Sequence, residues 1–549
     1  MPSLTSITLP LGSQSSPKTL TQLQVNTLLR IHDSQQITTK NISGYVFKSM
    51  MTRSEYFGLT ELGLHVSYDT LIEEQWSVSA SPQIIRDGQS SIITLTTLNQ
   101  ANAVITIQSC HVVYGLLSDA DARNCFTLSG NALSFSKGVL TADFMAEVTI
   151  AVHPTWDSHD VKTVSISGVS VSDIHTVYIN PENKSAELVY TGSRSLIEDY
   201  VQRCKCYVFN AEGSKMAEIK SATFEGVYGY MTSGTVTFAD NTTRNIVDLN
   251  DAGCNFMVLR PEMHIFSGKD NNDNDILQNT GIYNLLGGKT FPKRYIGMFK
   301  AYNQNGVLKS QPGIIPTTST NISTFNDLVK AGGSQYSLIS YTDFCRENAI
   351  HLSYFANTNY ETNVGTGRIL TRQKYYNIVT GFTLPLIGTY RCGRVAAADS
   401  DGNDVNCLNF FGLEGVGEQY GEGIIGIRKY GNVAYVWEDG TWDSSHSADR
   451  TIENLYSAAT GWVIKIKAGS DFDVFADGSA GFGGGSSSTG YCDQQGYGNV
   501  QTLLVWCASD GRGSGMSCIG GFASDSANVC TRIAFRGEPQ LVNGASLLT

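Results

Sequence analysis

A group of aromatic and cationic side chains in the last quarter of the chain has the residue types needed to bind a ligand by stacking. The group consists of Tyr430, Tyr435, Trp437, Trp442, Trp506 and Arg512. Exposed rings stack on the faces of sugars, and Trp, Tyr and Arg also dominate the contacts that hold protein partners. Burial of these rings in a hydrophobic core is the competing interpretation. The sequence therefore predicts a ligand-binding surface in this region, set against a purely structural role.

Catalytic chemistry has little support elsewhere in the chain. His65, His111, His153 and His351 each stand alone beside apolar residues. No Ser–His–Asp arrangement can be read from them. No pair of carboxylates stands out as a glycosidase pair, although acidic residues far apart in sequence can still meet in a fold. We expect a protein that is not an enzyme, with no catalytic residues and no cofactor.

The twelve cysteines are scattered and have no CxxC spacing. Zinc sites use closely spaced Cys and His pairs, so this pattern gives no reason to expect one. Cys204 and Cys206 form a CxC pair, which in a strand directs both side chains to the same face and is a poor start for a disulfide. The expectation is free, largely buried thiols, while pairing of some cysteines stays open.

Two acidic runs have the oxygen density of a calcium loop. They are Asp270–Asp275 and Asp399–Asp404. Both lack the turn glycine and the closing glutamate that calcium-binding loops of this type carry. Turns stabilised by Asp and Asn side chains explain both runs without a metal. We predict no metal site, with a structural calcium ion at either run as the alternative.

Composition indicates a β-rich chain of several domains. The 549 residues are too many for one core and suggest roughly three to four domains. Only 16 % of residues are charged, and short Val-, Ile-, Thr- and Tyr-rich runs alternate with turn residues. The net charge of −12 comes without a Lys/Arg cluster, which argues against nucleic-acid binding. The N-terminus lacks the pattern of a secretion signal, and no run approaches about 18 apolar residues, so we expect no membrane insertion.

The first half of the chain divides into three segments by pattern. Residues 1–75 read as an attachment region with one short helix, Thr19–Arg30. Residues 76–173 read as an antiparallel β-sandwich. Its predicted strands are Trp76–Ser81, Ser90–Leu98, Val104–Ser109, Ala132–Ser136, Val148–Val152 and Lys162–Ser172. Residues 174–253 read as a small β-rich connecting domain with a helix at Ser195–Arg203. The alternative is that they are the opening strands of the next domain.

Residues 254–549 are predicted to form one further domain, in which glycine and aromatic content rise together. Short helices are expected at Phe325–Ala331 and Tyr341–Asn348, and a flexible loop at Gly481–Gly490. The domain contains Asn409–Gly426, where six glycines stand among bulky apolar residues. Because glycine permits turns that other residues resist and the apolar side chains need a core, this segment is predicted to be buried and sharply turned.

Three segments of this last domain resemble a known fold family. Gly412–Gly426, GLEGVGEQYGEGIIG, is similar to the central motif of the formylglycine-generating-enzyme-like branch of the C-type lectin fold. The strand in Cys254–Phe266 resembles the opening of that fold, and Leu503–Glu538 resembles its close. Glu418–Tyr420 departs from the family's Asn-Val-Trp pattern, so this segment is interpreted as scaffold. IIRDGQSSIITLTT in the sandwich resembles immunoglobulin-like modules of phage and bacterial surface proteins.

Further passages resemble fibre proteins of tailed phages of gut Bacteroidales, of the crAss-like type. They are Lys289–Gly306, Ala349–Arg368 and Asn377–Gly388. The resemblance implies a mainly β, multidomain protein, an Ig-like sandwich followed by an α+β C-type-lectin-like head, in a virion fibre that binds a host surface glycan or protein. It also implies a homo-oligomer, as a trimer, attached to other virion proteins through its N-terminus.

Two alternatives follow from the same resemblance. One is a purely structural capsid or tail decoration protein whose head binds other virion proteins. The other is an oxidase of the formylglycine-generating type, which binds copper through two cysteines a few residues apart. Here Cys507, Cys518 and Cys530 are spaced more widely than that pattern. The enzyme is therefore the weaker alternative.

Overall fold

The fold is known from a computed structural model. It describes residues 45–52, 65–72, 76–140, 142–155, 157–171, 174–227, 230–318, 320–364, 380–387, 392–398, 404–416, 421–430, 433–438, 447–453, 460–462, 465–466, 469–473, 494–496, 502–506, 519–522 and 529–548. The chain is mainly β, as the composition predicts, and it divides into two compact units. The N-terminal unit is Met1–Val171 and the C-terminal unit is Ser172–Thr549. Within the described residues, no helix is both long and apolar enough to cross a membrane.

In its described residues, the N-terminal unit is built almost entirely from strands. Its elements are β1 (Tyr45–Thr52), β2 (His65–Ile72), β3 (Ser77–Ser81), β4 (Ile84–Arg86), β5 (Ser90–Thr96), β6 (Ala103–Tyr114), α1 (Asp119–Arg123), β7 (Phe126–Ser129), β8 (Ala132–Phe135), β9 (Phe144–Pro154) and β10 (Lys162–Ser170). β1 and β2 pair with each other in parallel. The predicted helix Thr19–Arg30 lies outside the described residues.

Two four-stranded sheets form a β-sandwich in the described part of residues 76–171. Their strand orders are β4-β10-β9-β6 and β3-β5-β8-β7. β5 alternates exposed and buried residues, the pattern of a strand with one face on a core. Ile93 and Phe135 of one sheet share that core with Ile150 and Ile166 of the other. The six predicted strands are all present, but β6 and β9 are longer than predicted and β4 and β7 were not predicted.

The C-terminal unit combines many short strands with five described α-helices. Its first half contains β11 (Thr176–Tyr178), β12 (Tyr190–Thr191), α2 (Ser195–Arg203), β13 (Cys206–Phe209), β14 (Lys215–Val227), β15 (Tyr230–Phe238), β16 (Thr243–Asn245), α3 (Ile246–Asp251), β17 (Asn255–Arg260), β18 (Met263–Lys269), β19 (Asp275–Asn279), β20 (Lys289–Phe291), β21 (Arg294–Gly297), β22 (Tyr302–Gln304), β23 (Val307–Lys309), α4 (Ile322–Lys330), β24 (Tyr336–Leu338), α5 (Tyr341–Phe355) and α6 (Tyr360–Asn363).

Strands dominate the second half of the unit. They are β25 (Gly393–Ala398), β26 (Asp404–Phe410), β27 (Leu413–Glu414), β28 (Gly421–Tyr430), β29 (Val433–Val436), β30 (Arg450–Ile452), β31 (Thr460–Trp462), β32 (Gln494–Gly496), β33 (Thr502–Trp506), β34 (Ile519–Phe522), β35 (Val529–Cys530), β36 (Ile533–Phe535) and β37 (Gln540–Leu541). The flexible loop predicted at Gly481–Gly490 lies outside the described residues.

Three larger sheets organise the described strands of the C-terminal unit. The first has the order β12-β11-β19-β18-β20, and the second has β16-β15-β14-β13-β17-β21-β36-β24 with β37 beside β14. The third has the order β30-β29-β28-β33-β34-β32-β31 with β35 beside β28. Two smaller sheets are β22-β23 and β25-β26-β27.

Residues 174–253 share sheets with the residues that follow them. β11 pairs with β19, and β13 pairs with β17, so strands on both sides of residue 254 lie in common sheets. Side chains from both parts also belong to one hydrophobic core, for example Val208 and Phe256. This pairing is the one expected of the alternative above, in which 174–253 supplies the opening strands of the C-terminal unit.

The segments that carry the family resemblance meet in space. The opening strand β17 pairs with β21, and β21 pairs with the closing strand β36. Arg260 at the end of β17 donates to the carbonyl of Phe411, at 2.9 Å. Arg532, just before β36, donates to the carbonyl of Glu414 at 2.7 Å. Two buried arginines therefore connect the first and last segments to the glycine-rich one.

The glycine-rich segment is buried and turned in its described part, as predicted. Phe410, Leu413 and Ile424 are fully buried. The turn between β26 and β27 passes through Gly412 at φ +90°, and a Cβ there would lie 3.0 Å from Cys206 Sγ. Glycine is required here by both backbone angle and space.

Candidate functional site

Three of the six predicted ligand-binding residues lie on one sheet. Tyr430 ends β28, Tyr435 lies in β29, and Trp506 ends β33, and these three strands are neighbours in the third sheet. Trp437 follows β29 directly. Trp442 and Arg512 lie outside the described residues. The fold thus brings together strands that the sequence separates by up to about one seventh of its length.

β29 is half-exposed on one face. Ala434 and Val436 are buried, whereas Val433 and Tyr435 are half-buried. This alternation places Tyr435 on the outer face, because neighbouring residues of a strand point to opposite faces. Its opposite residue in β30 is Thr451, which is exposed. The Tyr435 side chain in this position is partly exposed to solvent.

Trp437 is in a different environment. Its side chain is buried, with 8 % of the residue exposed. Its backbone N–H donates to the carbonyl of Gly426 at 2.9 Å, which fixes the end of β29 against β28. Little of this ring is open to stacking, so its main role in the described geometry is to anchor the strand that carries Tyr435.

An ion-pair network, which we call the Glu438 cluster, adjoins the end of β29. It consists of Lys289, Thr342, Glu438, Arg450 and Asp473. Arg450 Nε donates to Glu438 Oε1 at 2.7 Å. Its two terminal nitrogens donate to both oxygens of Asp473, at 2.7 and 2.8 Å. The planar guanidinium thereby holds two acidic side chains in fixed positions.

Helix α5 and strand β20 complete the Glu438 cluster. Lys289 Nζ lies 3.1 Å from Glu438 Oε1. Thr342 Oγ1 donates to Glu438 Oε2 at 3.1 Å, and Tyr341 donates from its hydroxyl to Asp473 at 3.0 Å. Ser340 caps the helix that carries both residues and accepts from the N–H of Asp343. The cluster ties three separate parts of the C-terminal unit to the strand end.

The charges of the Glu438 cluster balance each other. Burial opposes ionisation of Glu438, but the hydrogen bond from Arg450 and the charge of Lys289 outweigh it, so the pKa of this carboxyl is lowered. Burial likewise opposes the charge on Arg450, and the bond to Asp473 outweighs it, so its pKa is raised. Both shifts favour the charged forms, so Glu438 and Arg450 form an ionised pair at neutral pH. It is suited to hold a surface in shape rather than to transfer protons.

Several described cysteines have a raised pKa, and these thiols are protonated at neutral pH. Nine cysteines in the described residues form no disulfide, and most of them are buried. Burial raises the pKa of Cys530 to about 12, and likewise that of Cys206. Copper binding and nucleophilic chemistry need the thiolate. Cys507 and Cys518 lie outside the described residues.

The acidic run at Asp270–Asp275 forms the turn between β18 and β19. Asp270 Oδ1 accepts from the N–H groups of Asn272 and Asn274, at 2.8 and 2.9 Å. Asp275 is bound by Lys269 at 2.8 Å. The carboxylates are therefore engaged in closing the hairpin. In the part of the chain that the structure describes, no group of three His, Cys, Asp or Glu side chains is arranged to hold a metal ion. Of Asp399–Asp404, only Asp404 is described, as the start of β26.

A cleft of about 240 Å³ lies elsewhere on the C-terminal unit, between Phe238–Asp240 and Leu541–Gly544. Its two carboxylates are Glu218 and Asp240, and Glu218 is paired with Lys205 at 2.7 Å. One oxygen of Asp240 accepts from Thr242, and the other accepts the N–H of Gly544. The carboxylate is already used to hold the C-terminal residues in place. The cleft offers no set of converging polar groups of the kind that ligand sites carry.

Sequence reasoning missed the charged residues that support this surface. Glu438 and Arg450 stand twelve residues apart, and their partner Lys289 lies 149 residues from Glu438. The available signal is a single charged residue at the end of an apolar strand, as in VAYVWE. That signal indicates a buried or half-buried ion pair without identifying the partner.

No protein-family model matches the chain, and no curated protein matches it significantly.

Proposed function

We propose that this chain is a structural virion fibre protein, of a phage head or tail, whose C-terminal unit binds a receptor or glycan on the host surface. It is not an enzyme in this proposal. The resemblance of several passages to fibre proteins of Bacteroidales phages supports it. So does a layout with a β-sandwich in the N-terminal unit and a larger, loop-rich C-terminal unit.

In finer terms, the sandwich would be an Ig-like spacer and the C-terminal unit a C-type-lectin-like head. The segments that carry the resemblance support this, since the opening strand β17 and the closing strand β36 both pair with β21. Such a head carries variable loops on a rigid base, and loops are where binding residues concentrate.

The outer face around Tyr435 carries the receptor-binding proposal. This half-buried ring lies on a sheet whose other face is core. Trp437 and the Glu438 cluster directly follow the strand that carries this ring, and their contacts fix the position of the strand end. A partly exposed aromatic ring held by a rigid polar support is the arrangement used to stack on a sugar or on an apolar protein residue.

Assembly and location follow from the same proposal. The chain would be made in the host cytoplasm and displayed on the outside of the particle, as a homotrimer. Residues 1–75 would attach it to other virion proteins. A net charge of −12 spread along the chain is compatible with a solvated fibre.

The test is binding by the purified full-length protein to host cells and to an array of host glycans. The proposal expects saturable binding that unlabelled protein competes away. Assembly onto particles without any binding to cells at high protein concentration would favour the decoration protein instead. Oxidation of a cysteine-containing peptide in the presence of copper would overturn the non-enzymatic assignment.

A further inference from the structure

One edge of the N-terminal sandwich differs from the other three. The four edge strands in the described residues are β3, β4, β6 and β7. Three of them are short, with five, three and four residues, whereas β6 has twelve. Proteins keep exposed edges short because unpaired backbone groups are a template for pairing with another chain. The length of β6 is therefore the exception that needs an explanation.

The sequence of β6 also lacks the usual protection of an edge. AVITIQSCHVVY contains no Lys, Arg, Asp, Glu or Pro. Charges and prolines are the residues that normally prevent strands from adding to an edge. Five of its residues are Val or Ile, which favour strand pairing.

Protection is confined to the C-terminal half of β6. The pairing with β9 shifts register between Ile107 and Ser109 and again between Val112 and Tyr114. The N–H of Val112 is bound by Asp119 of α1 at 2.7 Å. Over Ala103–Ile107, in contrast, the pairing runs without a shift. This half is a regular, uncharged strand with one described partner.

Incomplete burial of side chains in the N-terminal half of β6 indicates that this edge can accept a further strand. Ile105 and Ile107 pack against the sandwich core but are only half-buried. Their opposite residues in β9, Val152 and Ile150, are fully buried. The difference arises because β9 has strands on both sides and β6 has one. An added strand would cover the aliphatic side chains and the backbone together.

We propose that Ala103–Ile107 of β6 pairs antiparallel with the same segment of a second copy of the chain. In a register centred on Ile105, Val104 lies opposite Thr106 of the second copy. This arrangement keeps the core-facing residues of both strands on one side of a continuous sheet. A copy of this strand brings no charge with it, so self-pairing carries no like-charge repulsion.

The contact is small. Stable interfaces bury about 800 Å² on each partner, more than five paired residues supply. The pairing is therefore a weak lateral contact, effective between copies that are already concentrated. Because it has twofold symmetry, each β6 edge joins one chain to one other chain, whether the chains are single or belong to the trimers proposed above. It is independent of the receptor-binding role.

Sedimentation of the full-length protein between about 1 and about 300 µM tests the contact, since weak interfaces associate in this range. The wild type should associate with increasing concentration. The variant V104E/T106E sets like charges opposite each other twice and should raise the dissociation constant at least about tenfold. Thr106 is exposed and Val104 half-buried, so folding should persist.

Two further proteins make the result specific. The variant T94E/T96E adds the same charges at exposed positions of β5, in the other sheet, and should associate like the wild type. Mixing V104E/T106E with V104K/T106K should restore pairing as mixed complexes. Absence of concentration dependence in the wild type would overturn the proposal. So would equal association of V104E/T106E and the wild type, or failure of the mixture to pair.

Discussion

Arg260 and Glu347 form a buried ion pair at the centre of the C-terminal unit. The guanidinium donates from Nε to Glu347 Oε1 and from Nη2 to Oε2, both at 2.9 Å. The two side chains are 0 % and 1 % exposed. Arg260 ends the opening strand β17, Glu347 lies in helix α5, and the remaining donor of Arg260 reaches the carbonyl of Phe411. One side chain thus connects a strand, a helix and the glycine-rich turn.

Removing one partner of this pair should be strongly destabilising. We expect Glu347→Ala to lower the free energy of unfolding by about 3–5 kcal/mol, because Arg260 is left charged and buried. The double variant Arg260→Met with Glu347→Leu should cost less than either single change. Urea unfolding followed by fluorescence measures all three. A smaller loss for Glu347→Ala than for the double variant would contradict this account.

The exposed pair Arg203–Asp199 is the matched control. It is an i,i+4 pair in α2 at 2.8 Å, with side chains 48 % and 36 % exposed. Asp199→Ala should change the free energy of unfolding by at most about 1 kcal/mol, since water solvates the remaining charge. A loss as large as that of Glu347→Ala would show that burial is not the deciding factor.

Gly412 should not tolerate a side chain. Its φ is +90°, and a Cβ would lie 3.0 Å from both Cys206 Sγ and Val258 Cγ2. We expect Gly412→Ala to lower the midpoint of thermal unfolding and to cost about 2 kcal/mol or more, from backbone strain plus close contact.

A variant at Gly88 separates the effect of backbone strain from the effect of close contact. It has a similar φ of +80°, but a Cβ added there would have no neighbouring atom within 4 Å. Gly88→Ala should therefore show backbone strain alone and should cost about 1 kcal/mol. Equal losses in the two variants would mean that the contacts with Cys206 and Val258 contribute nothing.

Local pattern located three helices of the C-terminal unit but misplaced the start of one and the end of another. The helix at Ser195–Arg203 was predicted and is α2. The helix predicted at Phe325–Ala331 begins earlier, at Ile322, because Asn321 accepts from the N–H of Thr324 and caps it. The helix predicted at Tyr341–Asn348 continues to Phe355. Nearly all of its residues are buried, so no polar stripe indicates where it ends.

The site depends on contacts that no local pattern contains. β29, with the sequence VAYV, is entirely apolar, so the sequence alone does not place Tyr435 on the outer face. The support beneath it is not readable, because Arg450 finds Asp473 and Lys289 finds Glu438 through the fold. The same is true of Arg532 and Glu422, which lie 110 residues apart and are both buried. A single charged residue in an apolar segment indicates that a partner exists, but only the folded structure shows which residue it is.

Acid should destabilise the protein in part through His351. Burial lowers the pKa of this imidazole from 6.5 to about 3 in the folded state. Below pH 6.5 the unfolded chain takes up a proton that the folded chain does not. Above pH 6.5 this group therefore leaves the free energy of unfolding unchanged. Below it, the free energy of unfolding falls by about 1.4 kcal/mol per pH unit toward pH 3.

The variant His351→Gln isolates this contribution, since Gln does not titrate. Its stability at neutral pH should be lower than that of the wild type, because Asn363 loses its 3.0 Å contact with the ring. Its further loss between pH 6.5 and 4 should be smaller. NMR titration of His351 near pH 6 in the folded protein would refute the prediction.

Tyr435 should contribute to ligand binding through its ring. In the cell-binding assay, Tyr435→Ala should weaken binding by about fivefold to tenfold, the loss expected for one stacking contact. Tyr435→Phe keeps the ring and should retain most of the affinity.

Tyr230 provides the control, because it is 61 % exposed in the same unit but lies on β15, in a different sheet. Tyr230→Ala should bind like the wild type. If both alanine variants lose affinity equally, or if Tyr435→Ala loses none, the ligand contacts another surface of the C-terminal unit.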